Sequence, residues 1–342
     1  MSEPPRSYWT ASDLMAAELP EPRFAVPGIV PEGLSLLVGS PKVGKSWAAL
    51  GLAVAVASDG YALGTLPVNG GDVLYLALED GPRRLQTRLR MILDGQPPPD
   101  RLAFLTAAPR VDEGLAAKLT SWADSVADPR LVIVDVLAKV RPPTDGRGSM
   151  YTADYAATEP LQTFATGRNV AVLVVHHTRK APSDDFLATV SGTHGLAGSA
   201  DAVLVLTRSR TEADAVLSVT GRDLEETNHA LTFDSQLGTW RLLGDAATYA
   251  LSEQRRAIAA AITEAGALKP KDIAANSGVD YEVVRKLVVR MADAGQLDTD
   301  GAGTYLPVPT LPSVPSVTEN GERGEHREQG IDPLPLAPGD AA

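Results

Sequence analysis

Between residues 24 and 243, short runs of consecutive apolar residues alternate with longer stretches of helical periodicity. The runs fall at 34–38, 73–78, 102–105, 131–134, 170–175, 202–206 and 215–219. The middle ones lack the in-and-out alternation of a half-solvated strand, so they read as strands covered on both faces. Helical stretches between them, such as 46–58 and 83–93, act as crossovers, and crossovers make the joined strands parallel. The last two runs lie close enough to pair as an antiparallel hairpin at one edge. The pattern predicts an α/β domain over 24–243, a mostly parallel sheet flanked by helices.

A second pattern follows. Ile258, Ala261 and Ile262 mark one helical face, and Pro270 opens a short helix that Gly278 closes. Val284, Leu287, Val288 and Met291 then form an i, i+3, i+4, i+7 stripe stopped by Gly295. Two short strands around Asp300-Gly301-Ala302-Gly303 complete it. The order helix, helix, turn, helix, hairpin predicts a small winged-helix domain at 244–306. Residues 1–23 form a proline-rich, acidic arm with a short helix around 11–18. Residues 307–342 carry seven prolines and no periodicity, so they read as a disordered tail.

Composition removes several function classes. Without cysteine there are no disulfides, thiolate metal sites or cysteine nucleophiles. The longest apolar run, 47–57, is far short of the ~18–20 residues of a membrane helix. No basic-then-apolar leader opens the sequence, so a cytoplasmic location without membrane contact is expected. Lys and Arg number 31 against 43 Asp and Glu, a net charge of −12. That balance argues against indiscriminate coating of DNA, though not against a local basic channel.

Against this acidic background one segment carries specific chemistry. Gly39-Ser40-Pro41-Lys42-Val43-Gly44-Lys45-Ser46 matches G-x-x-x-x-G-K-[ST] in full, after an apolar strand and before an apolar helix that begins around Trp47. The glycines let backbone N–H groups converge on a phosphate, and the helix start adds its positive dipole end. Lys45 is then placed to bridge the β- and γ-phosphates of ATP, and the Ser46 hydroxyl to bind Mg²⁺. Pro41 has no N–H to offer. Lys42 reads equally as a nucleotide contact or an exposed loop lysine.

Asp135 ends the run 131–134, where it would hold Mg²⁺ through water opposite Ser46. Glu79 and Asp80 end an earlier buried strand, and the carboxyl ends of parallel strands share one crevice. Glu79 is the candidate general base for an attacking water. Asp80 reads alternatively as the cap of a helix starting near Pro82. A later strand ends in His176-His177-Thr178-Arg179-Lys180. Adjacent strand residues face opposite ways and no third ligand is evident, so the pair is a poor zinc site. His177 is the candidate γ-phosphate contact; a hydrogen-bonded structural histidine is the plainer alternative.

In order, GSPKVGKS, VLYLALED followed by GPRRLQTRLR, LVIVDVL, VVHHTRK and SGTHGLAGSADAVLVLTR resemble the RecA-like ATPases, and within them the RepA family of plasmid replicative helicases. The resemblance implies a RecA fold and ATP bound between subunits of a homo-oligomeric ring, usually a hexamer. It implies Glu79 as catalytic base, Asp135 as Walker B acid and His177 as γ-phosphate sensor. It places DNA-binding loops at 139–153, with Lys139, Arg141 and Arg147, and at 179–198, with Arg179 and Lys180. Neither loop is strongly basic, and Asp145, Asp184 and Asp185 lie in them, so both also read as solvated connections. Arg222 best matches the family's arginine-finger position, worth roughly 10³–10⁵ in rate. Many relatives carry a lysine two residues earlier, where this chain has Thr220; a surface pair with Asp223 or Glu225 is the alternative.

The small domain offers Arg285, Lys286 and Arg290 beside Tyr281 on its last helix, but residues 251–306 hold seven Lys/Arg against eight Asp/Glu. Phosphate attraction is then weak without strong asymmetry, and contact with DNA or with protein both remain open. The expectation is an ATP- and Mg²⁺-dependent, ring-forming ATPase that translocates on single-stranded DNA or unwinds it. Its setting would be replication of a mobile element, with replication proteins as further partners. Its rival is an ATP-switched regulator or loader without helicase activity. A P-loop protein without turnover is disfavoured by the intact set Lys45, Glu79 and Asp135.

Overall fold

The computed structural model describes residues 8–19, 22–143, 150–177, 194–208 and 214–308. The proline-rich stretch from 309 onward lies outside them. The chain divides into two compact units, 1–257 and 258–342.

Nine strands of the first unit form one sheet: β1 Gly33–Gly39, β2 Asp72–Ala77, β3 Leu102–Leu105, β4 Pro129–Asp135, β5 Ala171–His177, β6 Ala202–Arg208, β7 Ala215–Gly221, β8 Thr227–Asp234 and β9 Thr239–Asp245. They lie in the order β9-β8-β7-β6-β1-β5-β4-β2-β3. Every pairing from β6 to β3 is parallel. From β6 to β9 every pairing is antiparallel. The helices are α1 Ala11–Ala16, α2 Lys45–Ala57, α3 Pro82–Leu93, α4 Leu115–Ser125, α5 Met150–Arg168, α6 His194–Ser199, α7 Ala246–Ala265, α8 Pro270–Ser277 and α9 Tyr281–Asp293.

The strands read as unbroken apolar runs because both sheet faces are covered. On β4, Leu131 and Ile133 pack with Ala49, Ala53 and Val56 of α2. Val132 and Val134 between them pack with Leu115 and Leu119 of α4 and Leu161 of α5. Burying each such Leu or Ile is worth roughly 1.5–3 kcal/mol. One expectation needs correction. β6 and β7 do pair antiparallel, Ala202↔Gly221 through Arg208↔Ala215, but not at the edge, because β8 and β9 extend the sheet beyond them. β8 and β9 mix polar and half-buried positions, so no apolar run marks them.

The entry to β1 is held by Asp201. Its Oδ2 accepts from the Leu34 N–H at 2.9 Å, and its N–H donates to the Leu34 carbonyl at 2.8 Å. Gly33 makes room for it: φ is +94°, and a Cβ there would sit 2.4 Å from Asp201 Oδ2.

In the second unit, Ile258, Ala261 and Ile262 of α7, Ile273 of α8, and Val284, Leu287, Val288 and Met291 of α9 are buried. The short strands Asp298–Thr299 and Tyr305–Leu306 pair antiparallel after them. Asp280 caps α9 by accepting from the N–H groups of Glu282 at 2.9 Å and Val283 at 3.3 Å. Arg285, Lys286 and Arg290 are exposed, and Arg285 is paired with Glu282 at 3.2 Å.

Replacing Asp201 with Ala leaves the Leu34 amide without its acceptor. Urea unfolding is expected to show a loss of about 1–3 kcal/mol, with a smaller loss in Asp201→Asn.

Candidate nucleotide site

The turn after β1 is built around a left-handed residue at each end. Lys42 has φ 64°, and Gly44, the N-cap of α2, has φ 107°. No side chain caps α2. The first amides of a helix have no intrahelical acceptor, so this end is left for an anion.

Lys45 lies at that helix start and is only 3% exposed. Its Nζ donates to the carbonyls of Gly39 at 2.8 Å and Ser40 at 2.9 Å. Burial lowers its pKa from 10.5 to about 8, while the charges of Asp135 and Glu79 oppose the drop. Asp135, 5% exposed at the end of β4, accepts from the Tyr75 hydroxyl at 2.7 Å and from the Ser46 hydroxyl. Burial raises its pKa; the two hydrogen bonds oppose that, and Asp80 and Glu79 add to it. Tyr75 is pushed well above 10 by burial and by the carboxylate it serves.

Above these buried groups opens a cleft of about 660 Å³, lined by Pro41, Lys42, Gly44 to Trp47, Leu78 to Asp80, Arg84, Arg88, Lys139 and His177. Parallel register explains the convergence. Gly39 lies opposite His177, and Asp135 opposite both Val175 and Ala77, so β1, β5, β4 and β2 end along one edge. Glu79 Oε2 stands 3.6 Å from His177 Nε2, and His177 Nδ1 is buried without a partner among the described residues. Lys42, Lys45, Arg84, Arg88 and Lys139 outnumber Glu79 and Asp80, so an acidic chain presents a cationic cleft. That suits a polyphosphate.

The Ser46 hydroxyl and Asp135 carboxylate are hard oxygen donors placed together, which fits Mg²⁺. No group of three or more His, Cys, Asp or Glu that could hold a metal occurs among the described residues. Mg²⁺ tolerates so small a protein share, since phosphate and water complete its shell.

The structure thus gathers Lys45, Ser46, Glu79 and His177 around one cleft with Asp135 beneath, and Pro41, Lys42, Gly44 and Trp47 on its wall. Gly39, Ser40 and Val43 complete the loop, Val43 being buried beneath it. Asp80 does not cap α3, whose N-cap is Gly81; it pairs with Arg84 at 3.0 Å and with Arg88. Lys139, expected on a DNA loop, lines the cleft instead. Arg222 lies at the other end of the sheet, since Gly221 is opposite Ala202 at the start of β6. Its partners there are neither Asp223 nor Glu225 but Asp201 at 3.4 Å and the Gly198 carbonyl at 3.1 Å. Arg141 does not line the cleft, and Arg147, Arg179 and Lys180 lie outside the described residues.

Sequence reasoning misses three residues. Arg84 and Arg88 sit four and eight residues after Asp80, and that helical spacing is their signal. The third is Trp240 on β9, whose indole N–H donates to the Gly44 carbonyl at 3.2 Å. A Cβ on Gly44 would meet its ring at 2.8 Å. In return Trp47 packs on the β8–β9 turn, where a Cβ on Gly238 would meet its ring at 2.2 Å. Phe233 joins the two, with ring centroids 6.1 Å from Trp47 and 4.9 Å from Trp240.

Residues 2–183 match an AAA domain family. No curated protein matches the chain. Among solved structures it is similar to an ATPase domain solved on its own, with TM-score 0.50 and 16% identity over 62% of this chain and 85% of that one. It is also similar to a DnaB-like replicative helicase, in a structure describing interactions with primase, with TM-score 0.50 and 15% identity over 61% of this chain. The match spans 57% of that helicase chain. These likenesses agree with the RecA-like sheet expected from the sequence. No helix among the described residues is long and apolar enough to cross a membrane.

Two measurements test the site. An amine with pKa about 8 is charged below that pH, and phosphate binding needs the charge. Affinity for ADP should be level below pH 8 and fall above it, by up to about tenfold per unit, as the free site loses its proton; Lys45→Met should flatten the profile. Trp240→Phe keeps the ring but removes the donor to Gly44, and should weaken ADP binding about threefold to tenfold in equilibrium titration.

Proposed function

Because the chain belongs to the AAA domain family, with a P-loop on a RecA-like sheet, we propose that it hydrolyses ATP to ADP and phosphate and uses the energy to act on DNA. The observation that carries this reading is the shared cleft of the P-loop lysine, the Ser46–Asp135 pair and Glu79.

In this reading the backbone of residues 39–46 cradles the phosphates. Lys45 exchanges the Gly39 and Ser40 carbonyls for phosphate oxygens. Ser46 and Asp135 hold Mg²⁺, which when bound neutralises phosphate charge. Glu79 takes the proton of a water as its oxygen bonds to the γ-phosphorus, and the bond to the bridging oxygen breaks toward ADP. His177, beside Glu79, senses the γ-phosphate. The chain assembles as a homo-oligomeric ring, a hexamer as the family resemblance implies, and translocates on single-stranded DNA or unwinds duplex during replication of a mobile element. Arg141, Arg147, Arg179 and Lys180 would contribute to the DNA path. The second unit is read as a winged helix whose Arg285, Lys286 and Arg290 face DNA or a partner protein.

One observation favours the rival, an ATP-switched regulator or loader: Lys139 turns toward the nucleotide cleft and so leaves the first DNA loop.

ATP hydrolysis with and without single-stranded DNA separates the two. A motor shows stimulation by DNA that is lost in Glu79→Gln, where turnover should fall at least about 10²-fold. Turnover without stimulation or strand displacement supports the switch. Light scattering with ATP and Mg²⁺ should give a hexamer; a persistent monomer removes the ring.

A further inference from the structure

The cations of the cleft differ in what already holds them. Arg84 and Arg88 are bound to Asp80, and Lys45 to two carbonyls. The Lys139 amine has no hydrogen bond or ion pair to any described residue, although it lines the same cleft. Its backbone is fixed all the same. Lys139 ends a 3₁₀ turn, Leu137–Lys139, directly after β4. Its N–H donates to the Val136 carbonyl at 3.1 Å, and the Val140 carbonyl accepts from Val111 at 2.9 Å. Leu137 and Val140, on either side, are buried.

Position in the sheet singles this amine out. β4 lies between β2 and β5, the strands followed by Glu79 and ended by His177, whose side chains stand 3.6 Å apart. Lys139 therefore enters the cleft between the carboxylate and the histidine. Lys42, the other unengaged amine, rises from the loop after β1, which does not neighbour β2. Arg222, the residue expected to bring positive charge to the reaction, is held by Asp201 and Gly198 at the far end of the sheet.

Resting on the ATPase reading above, we propose that Lys139 is a catalytic residue of that reaction, a cation supplied by the same chain to the γ-phosphoryl oxygens. As the water oxygen bonds to phosphorus and the bridging oxygen departs with ADP, negative charge spreads over the equatorial oxygens. An ammonium on a rigid turn meets that charge without reorganising, and it helps more in the transition state than in the ground state. It neither gains nor loses a proton. Glu79 takes the water's proton, and phosphate leaves after ADP forms.

The test compares full-length parent, Lys139→Ala and Lys139→Arg. Steady-state hydrolysis is measured beside equilibrium binding of ADP alone and of ADP with aluminium fluoride, a mimic of the transferring phosphoryl group. Lys139→Ala is expected to lower kcat about 10²-fold or more, keep ADP affinity within about twofold, and lose the parent's preference for the fluoride complex. Lys139→Arg should recover part of both losses. If the parent hydrolyses ATP and Lys139→Ala does so at the same rate, the proposal is overturned while the ATPase reading stands. The same holds if the variant loses affinity for ADP and for the fluoride complex equally. A parent with neither turnover nor preference for the fluoride complex overturns the ATPase reading, and this proposal with it.

Discussion

An ammonium group removed from water has to be compensated or lose its proton, and Lys45 is in that situation. Two carbonyls of its own loop and the charges of Asp135 and Glu79 keep it within reach of neutral pH. Each compensating group makes a demand of its own. The carbonyls require β1 to end at Gly39 and the chain to turn back through a left-handed Gly44. Asp135 must stay buried, so Tyr75 and Ser46 hydrogen-bond it. These groups come from three strands and a helix, and only a parallel sheet ends its strands on one edge in this way.

The aromatic clasp shows why the sheet extends on its antiparallel side. Trp240 is three strands removed from β6, which borders β1, yet its indole reaches the carbonyl of the residue before Lys45. Trp47 and Gly238 interlock in the opposite sense. A shift of the β8–β9 hairpin is therefore felt at the phosphate loop, and a change in the loop at the hairpin. Close packing makes such a coupling difficult to avoid, because neither glycine can be approached further without moving a ring.

What could be read in advance follows from which forces leave a linear trace. Strands buried on both faces, such as 131–134 and 170–175, appear as apolar runs, and the P-loop as fixed spacing. Glu79, Asp135 and His177 are legible because strand-end position is a local property once parallel pairing is assumed. β8 and β9 leave no run, for their side chains are half exposed. The engagement of Trp240 with Gly44, 196 residues apart in sequence, has no local signature at all. Lys139 is misplaced by sequence reasoning for a related reason: a turn of three residues decides whether its amine leaves the sheet edge or bends back over it, and composition does not encode that bend. Asp201 as the partner of Arg222 is hidden likewise, since the pairing of β6 with β7 brings together residues 21 apart.

Charge distribution links the chemistry to any larger action. The chain as a whole repels polyanions, whereas its cleft concentrates positive charge, and low-dielectric walls focus such a field inward. A small anionic nucleotide can enter the cleft, but a long strand of DNA must also pass the acidic surroundings. A cation supplied from within the chain would let the chemical step proceed without a neighbour. Assembly would then control when hydrolysis occurs and what it drives, and the neighbour's role would be to couple turnover to movement. Whether the protein is a motor or a switch is thereby decided by the loops and by contacts between copies, while the cleft performs the same reaction in both.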